Sequence, residues 1–437
     1  MGSFLFLWDK EFLNQKQIDN IRRHKYKAEG SSLVEPVFQK FWVSLIDHVP
    51  SWMAPNILTL LGLTANFIAF LPLAILCPTF KEEPPAWALI LFTCCFFIYQ
   101  TLDALDGKQA RKIGMSSPMG ELFDHGCDAV NTVIVSIVYN ISLRLGLHPA
   151  VNMFSFCNTC FTFYLAHWLT YCTGVLHFGY IDITEAQLSI MIHLVFTSFA
   201  GSTFWDQEVM VVGQMRILFI VVVSALCLPA ILTRLHHILI QGGSGRAGST
   251  VADSSVLSPV KSIFCAFVFM WLIQHKSQQP NVAEEYTLLF YSLFGLYFSK
   301  ITTILIVAHM CRSELWFWDL TMWGPGIVCL NQYLNYVFPE HYVLMAAVVW
   351  CTVDYFVYVI RVLLQLSSAL ELPVLTVPRH ILAKQAKTSK TSSSNESSQN
   401  STRSSSNGTA SRRPNQTSNT ARTTASRQKV RKNQNDA

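Results

Sequence analysis

The chain has 437 residues, of which 51% are hydrophobic and only 14% are charged, and its formal net charge is +5. Because soluble domains carry about 25% charged residues, this composition indicates a chain that faces lipid over much of its surface. Eleven Lys and Arg residues but only two acidic residues follow position 383, so the preceding part is slightly acidic. Such a chain has no basic face for nucleic acid, and we exclude that class of partner.

The first predicted element is an amphipathic helix near the N-terminus. Apolar residues recur there at every fourth position, at Leu33, Val37, Phe41, Leu45 and Val49. The segment is too polar to span a bilayer, so we expect a helix that lies in the membrane interface, with Trp42 in the aromatic belt. Packing of the same helix against the membrane bundle is the alternative. Residues 1–52 form a cytosolic N-terminal region in this interpretation.

Ten apolar segments follow, each near the length of about 20 residues that a transmembrane helix needs. They cover residues 56–77, 86–106, 120–143, 152–175, 184–202, 212–234, 255–274, 285–309, 318–337 and 342–365. Gly324 and Pro325 interrupt the ninth. The sequence therefore predicts an all-α, polytopic transmembrane bundle of about ten spans over residues 53–370.

Cationic residues in the loops predict the orientation of this bundle. They concentrate after the second, sixth, eighth and tenth spans, at Lys108, Arg111, Lys112, Arg234, Arg246, Arg312 and in the C-terminal tail. Because positive residues stay in the cytosol, both termini and the loop between the second and third spans are expected there. The tail, residues 371–437, is basic and rich in Ser, Thr and Asn, and this composition predicts disorder.

Acidic residues flank that cytosolic loop at helical spacing. Asp103 and Asp106 end the second span, and the third begins with Glu121, Asp124, His125 and Asp128. Spacings of three, four and seven residues place each set on one helical face. Since helices joined by a short loop are antiparallel neighbours, we expect the two acidic faces to converge.

Four converging carboxylates stay ionised together only when cations neutralise them. Oxygen ligands select Mg²⁺, Mn²⁺ or Ca²⁺, and two such ions can clamp phosphate oxygens during an in-line displacement. In the linking loop, Gly107 and Gly120 allow close backbone approach, and Lys108 and Arg111 are placed to reach phosphate. These features favour phosphoryl transfer over a polar helix seam or the ion relay of a cation-coupled transporter.

The spacing of these residues resembles the signature of the CDP-alcohol phosphotransferases. The matching pattern is Asp103-x-x-Asp106-Gly107-x-x-Ala110-Arg111, then eight residues, then Gly120-x-x-x-Asp124-x-x-x-Asp128. Flanking stretches are similar to the eukaryotic cholinephosphotransferases and choline/ethanolaminephosphotransferases. Among these stretches are His24-x-Tyr26, Ala54-Pro55-Asn56, His167-Trp168 and Val307-Ala308-His309-Met310.

The resemblance implies a reaction and a set of ligands. Phosphocholine or phosphoethanolamine would pass from its CDP derivative to diacylglycerol, giving phosphatidylcholine or phosphatidylethanolamine and CMP. Two Mg²⁺ ions, with Mn²⁺ as the alternative, would be held by Asp103, Asp106, Asp124 and Asp128, of which Asp103 and Asp124 bridge. The CDP moiety would contact Asn56, Gly107, Arg111 and Glu121. The same resemblance implies a homodimer in the membrane of the endoplasmic reticulum or Golgi, and the loop charges place the active site on the cytosolic side.

The general base is argued from physical chemistry. A metal-bound carboxylate is a weak base, whereas imidazole titrates near neutrality. We therefore prefer His125 to Asp128 for deprotonating the lipid hydroxyl, with Glu121 one turn earlier to orient it. An ethanolamine-only or inositol enzyme of the same family is the nearest alternative function. Tyr99, Trp168 or Tyr171 could contact a trimethylammonium group, although ordinary packing is the preferred interpretation for them.

Overall fold

A computed structural model describes residues 11–209, 213–278, 280–316 and 318–383. The chain divides into two units, Met1–Leu382 and Ala383–Ala437, and the helices and strands of the fold lie in the first. Residues 371–382, which the sequence placed at the start of the basic tail, also belong to this first unit. The rest of that predicted tail lies outside the described residues.

Helices dominate the described part of the chain, where twelve have nine or more residues. In chain order they are α1 (Gln15–Arg23), α2 (Glu35–Ile46), α3 (Pro55–Leu76), α4 (Ala86–Ile113), α5 (Pro118–Ser142), α6 (Pro149–Thr173), α7 (Ile183–Ala200), α8 (Met215–His236), α9 (Val260–Lys276), α10 (Thr287–Cys311), α11 (Trp323–Tyr333) and α12 (Glu340–Leu370). The shorter pieces are Leu145–Leu147, Ser202–Asp206, His237–Gln241, Arg246–Gly248, Val282–Glu285 and Leu320–Met322.

Helices α3 to α12 lie at the ten positions where the sequence predicts spans. Six of the helices are long and apolar enough to cross a membrane, namely α3, α4, α7, α8 with its extension to Gln241, α10 and α12. The chain is therefore a multi-pass membrane protein with six candidate spans. Helix α11 has only eleven residues, which is about 16 Å and roughly half of the hydrocarbon core. The ninth predicted span is thus too long.

Helices α5 and α6 are long enough to span but less apolar, and their polar residues bond to neighbouring helices. Asn66 Nδ2 of α3 donates to Asn131 Oδ1 of α5 at 2.5 Å. Asn140 Nδ2 of α5 donates to Asn152 Oδ1 of α6 at 2.8 Å. Such bonds between buried amides hold helices together where solvent is excluded. They also fix the rotation of α5, which carries half of the acidic cluster.

Helix α2 packs Trp42 and only the C-terminal part of the predicted apolar stripe on the bundle. Trp42 is only 4% exposed and packs against Leu58 and Leu105, whereas Val37 and Phe41 point outward. A strict four-residue spacing advances by about 40° at each step on a helix, so the predicted stripe winds around the helix axis. Trp42 therefore packs on the bundle and does not join an aromatic belt.

Helix α10 lies at the centre of the bundle, since 83% of its apolar stretch is buried, against 17% for α8. It carries a buried lysine, Lys300, which is 1% exposed. Lys300 Nζ lies 2.8 Å from Asp319 Oδ1 and 2.5 Å from Asp354 Oδ2. Because an ionised residue is costly at this depth, its two carboxylate partners compensate the charge and tie α12 to α10.

Four two-residue strands complete the described fold. β1 (Ala28–Glu29) and β2 (Leu176–His177) are parallel, with Ala28 opposite Leu176. β3 (Glu208–Val209) and β4 (Gly213–Gln214) are antiparallel. Gly30, with φ of +97°, lies so close to the Phe178 carbonyl oxygen that no Cβ would fit. The β1–β2 pair thereby docks the N-terminal segment onto the chain that follows α6.

Candidate metal centre between helices α4 and α5

A turn of four residues joins α4 to α5 and sets the geometry of the acidic cluster. Gly114 ends α4 in the left-handed region, at φ of +73°, where glycine carries no steric penalty. Ser117 begins α5 as its N-cap, and its Oγ accepts a hydrogen bond from Gly120 N at 3.2 Å. With Pro118 at the first helical position, α5 begins directly after the turn and packs mainly against α10 and α3.

Helix α4 continues beyond the predicted end of the second span. Gly107, Lys108 and Arg111 are consequently helical and not part of the loop. A Cβ at Gly107 would lie 3.5 Å from Arg111 Nη1, so the absent side chain leaves room beside the guanidinium. Lys108 Nζ donates to Ala104 O at 3.2 Å and lies 5.3 Å from the centre of the Trp42 ring. Lys108, one of the two residues predicted to bind phosphate, therefore points towards α2.

Three of the four predicted metal ligands converge. Asp103, Asp106 and Asp124 each place one carboxylate oxygen within 4.8 Å of the others. Asp103 Oδ1 and Asp124 Oδ1 are buried and have no hydrogen-bond partner among the described residues. Buried polar atoms are normally satisfied, so these orphaned acceptors fit a cation that would sit between them. Oxygen-only donors favour Mg²⁺ or Mn²⁺ over zinc.

Asp106 and Asp128 each accept a hydrogen bond from a neutral hydroxyl. Asp106 Oδ2 accepts a short hydrogen bond from Thr59 Oγ1 of α3. Asp128 lies one turn further along α5 than Asp124, and its Oδ1 accepts from Tyr99 OH at 2.7 Å. Asp128, the fourth predicted ligand, does not join the converging oxygens of Asp103, Asp106 and Asp124. Sequence reasoning missed Thr59 because its bond to Asp106 spans 47 positions.

Asn56 lies at the start of α3, beside the N-terminus of α5. A Cβ at Gly120 would lie 3.6 Å from Asn56 Oδ1. Asn56 Nδ2 donates to Val374 O at 2.9 Å, which brings the chain after α12 to the same place. Asn56 therefore lies next to Gly120, and its contact with the CDP moiety stays a prediction.

His125 points into a recess next to the acidic cluster. Its ring centre is 5.1 Å from that of His167 and 6.1 Å from that of Tyr26, and its Nε2 lies 4.0 Å from Asp124 Oδ2. Its side chain is 13% exposed. This narrow recess is lined by Tyr26, Lys27, Glu121, His125, His167, Thr170, Leu176, Ile306 and His309. His125 is therefore largely shielded from bulk water.

Glu121 has a partner that sequence reasoning missed. Its Oε2 lies 2.9 Å from His24 Nε2, in the segment that precedes β1. We expected Glu121 to orient His125, but its carboxylate instead pairs with His24. No local signal links His24 to Glu121, since 97 positions separate them, although His24 belongs to a stretch that matches the family.

The aromatic candidates for headgroup binding use their polar atoms for packing. Trp168 Nε1 donates to Val256 O at 2.7 Å, and Tyr171 OH donates to Ser313 O at 3.0 Å. Tyr99 OH is bonded to Asp128. These contacts favour the packing interpretation for Trp168 and Tyr171.

Comparison with known proteins identifies relatives along most of the chain. The sequence model for CDP-alcohol phosphatidyltransferase matches residues 52–223. Cholinephosphotransferase 1 of Mus musculus is 40% identical over 364 residues, which are 83% of this chain and 91% of the relative. The Homo sapiens protein of that name is 40% identical over 384 residues, 86% and 93% of the two chains. That of Danio rerio is 41% identical over 369 residues, 84% and 96% of the two chains.

Proposed function

Because the chain belongs to the CDP-alcohol phosphatidyltransferase family, we propose that it transfers phosphocholine from CDP-choline to diacylglycerol, giving phosphatidylcholine and CMP. The relatives named above are cholinephosphotransferases, which favours choline over ethanolamine or inositol. The observation that carries the proposal is the convergence of three carboxylates between α4 and α5, two of which have buried oxygens without a hydrogen-bond partner among the described residues.

We assign the metal to the four aspartates. Asp103, Asp106 and Asp124 supply the converging oxygens, and Asp128 would complete the set from the next turn of α5. Two Mg²⁺ ions bound there would neutralise charge on the diphosphate and on the departing CMP. Without a cation the carboxylates repel one another, which is why the cluster needs one.

The CDP moiety would bind on the α4 side of the cluster. Arg111 presents a guanidinium next to Gly107, and guanidinium groups pair well with phosphate oxygens. The missing side chain of Gly107 lets a diphosphate approach the helix. Asn56, beside Gly120 at the start of α5, would contact the CDP moiety from that side. A contribution of Glu121 to nucleotide binding stays a prediction, since its carboxylate is engaged with His24.

His125 would act as the general base. The diacylglycerol hydroxyl gives its proton to the imidazole, and the hydroxyl oxygen forms a bond to the phosphorus that bears choline. The bond from that phosphorus to the oxygen bridging to CMP breaks, and the electron pair leaves with CMP. Burial of His125 beside His167 and Tyr26 supports this role because it excludes competing water.

The proposal is tested with purified protein in lipid nanodiscs supplied with diacylglycerol, Mg²⁺ and CDP-choline. We expect release of CMP together with phosphatidylcholine, and slower release when CDP-ethanolamine replaces CDP-choline. A folded protein that releases CMP with neither donor would contradict the proposal. A preference for CDP-ethanolamine would keep the reaction class and overturn the choline assignment.

His125→Gln separates the two candidate bases. General-base catalysis contributes about 10²- to 10⁴-fold, so we expect kcat to fall in that range while the Mg²⁺ midpoint is unchanged. Asp128→Asn should instead raise the Mg²⁺ midpoint. If His125→Gln kept wild-type kcat, Asp128 would be the base.

We also propose that the site and both termini face the cytosol, in the membrane of the endoplasmic reticulum or Golgi. The cation-rich loops are the supporting feature, since Arg111 and Lys112 end α4 and Arg312 follows α10. Protease digestion of a C-terminal epitope in sealed microsomes tests the orientation, because a cytosolic tag is degraded without detergent. The homodimer stays a prediction, which native mass spectrometry would test.

A further inference from the structure

A second group of potential metal ligands lies beside the recess. His24, Glu121 and His309 each place one ligand atom within 4.8 Å of the others. They come from three separate elements, namely the segment before β1, the first turn of α5 and the last turn of α10. The reaction proposed above uses neither histidine.

The cluster is buried and incompletely bonded. The side chains of His24 and Glu121 are 11% and 10% exposed. The His24 and His309 rings meet edge to face, with centres 5.3 Å apart. His309 is 8% exposed, and its Nδ1 has no hydrogen-bond partner in the described part of the chain. A buried imidazole nitrogen without a partner is rare unless a ligand or water completes it.

We propose that His24, Glu121 and His309 bind one divalent transition-metal ion, with Zn²⁺ the preferred occupant. Two imidazoles and one carboxylate form a donor set that suits zinc, whereas Mg²⁺ prefers oxygen ligands alone. Three protein ligands would leave a fourth position for water, and two of the three, Glu121 and His309, line the recess together with His125 and His167. The inference goes beyond the phosphotransfer reaction, which uses the oxygen-only cluster.

The metal would fasten the N-terminal segment over the recess. His24 lies next in the chain to Lys25, Tyr26 and β1, so a bond from His24 to a metal held by α5 and α10 fixes this segment at one end. The pairing of Ala28 with Leu176 fixes it at the other. The hydrogen bond between His24 and Glu121 alone could serve the same purpose without a metal, and the experiment separates the two.

The test measures metal content and affinity without using activity. Full-length protein in detergent is stripped with a chelator, supplied with Zn²⁺ in the presence of excess Mg²⁺, desalted and analysed by inductively coupled plasma mass spectrometry. We expect about one tightly bound Zn²⁺ per chain. His24→Ala and His309→Ala should each weaken Zn²⁺ binding by about 100-fold or more. The exposed His48→Ala is the matched control and should bind as the wild type does.

Three results would overturn the proposal. They are a wild type that holds no Zn²⁺, a His24→Ala or His309→Ala protein that binds it equally well, and loss of Zn²⁺ in Asp124→Asn instead. Binding to the aspartates would explain the last of these. Should an alanine variant aggregate, His24→Gln and His309→Gln replace it. The visible spectrum of Co²⁺-loaded wild type then reports the coordination independently, with intense d–d bands expected for a tetrahedral site and weak ones for octahedral oxygen ligands.

Discussion

The acidic cluster and the histidine cluster share helix α5, but the chain assembles them differently. The carboxylates of the acidic cluster come from two consecutive helices, α4 and α5, and carry charges of one sign. The histidine cluster joins residues 24, 121 and 309 and combines a carboxylate with two imidazoles. Like charges repel in the absence of a cation, whereas His24 and Glu121 already share a hydrogen bond. Replacing one aspartate of the acidic cluster with a neutral residue should therefore stabilise the metal-free protein. Removing one histidine of the histidine cluster should destabilise it.

Asp124→Asn should show the largest effect. Removing one converging oxygen is expected to lower phosphotransfer by roughly 10³-fold, as losses of transition-state charge stabilisation do. The metal-free protein should become more stable, because the repulsion among the carboxylates decreases. Both are measured in one preparation, by CMP release and by the thermal unfolding midpoint with chelator present. Asp47→Asn, at the C-cap of α2, is the control, and a fall in metal-free stability of Asp124→Asn would contradict the account.

Mg²⁺ should stabilise the wild type through the acidic cluster. Ligand at 100 times its dissociation constant contributes about 2.7 kcal/mol to the unfolding free energy. We expect this increase in a Mg²⁺ titration of the wild type, and a much smaller one in Asp124→Asn. His24→Ala should respond to Mg²⁺ as the wild type does. Equal loss of the response in His24→Ala would show that the two clusters are not independent.

His24→Ala should destabilise the metal-free protein by about 1–3 kcal/mol, because Glu121 loses its hydrogen-bond donor while remaining buried. Chemical denaturation in the presence of chelator measures the change. The exposed His48→Ala should stay within about 0.5 kcal/mol of the wild type. If the His24→Ala protein were as stable as the wild type, the hydrogen bond between His24 and Glu121 would not stabilise the metal-free protein.

Gly107→Ala should give the smallest change in stability. Alanine replaces glycine inside a helix, which stabilises by about 0.5–1 kcal/mol. The added Cβ would occupy the space 3.5 Å from Arg111 Nη1, so KM for CDP-choline should rise. Gly326→Ala, also helical and with open space around the added Cβ, is the matched control. If both variants left KM unchanged, the space at Gly107 would not be used by the nucleotide.

Prediction succeeded where the relevant interactions are local. The three-residue spacing of Asp103 and Asp106 places them on one face of α4, and Asp124 of the next helix meets them as expected. Asp128 lies outside this group. Apolar runs placed helices at all ten expected positions. The predicted ends of helices were wrong where residues outside the apolar segment set the helix end. Helix α4 continues through Gly107 to Ile113 because its end is set by Gly114, and α11 is shorter than the apolar segment around it.

The sequence by itself determined the helical membrane architecture and the acidic cluster, since both depend on composition and on spacings within two helices. The tertiary structure alone decided which atoms remain unpartnered and which distant residues meet. Thr59 reaches Asp106, Val374 reaches Asn56, and His24 reaches Glu121 across 97 positions. The physical reason is that long-range contacts depend on helix rotation and on backbone pairing such as β1 with β2, and neither leaves a local pattern in the chain.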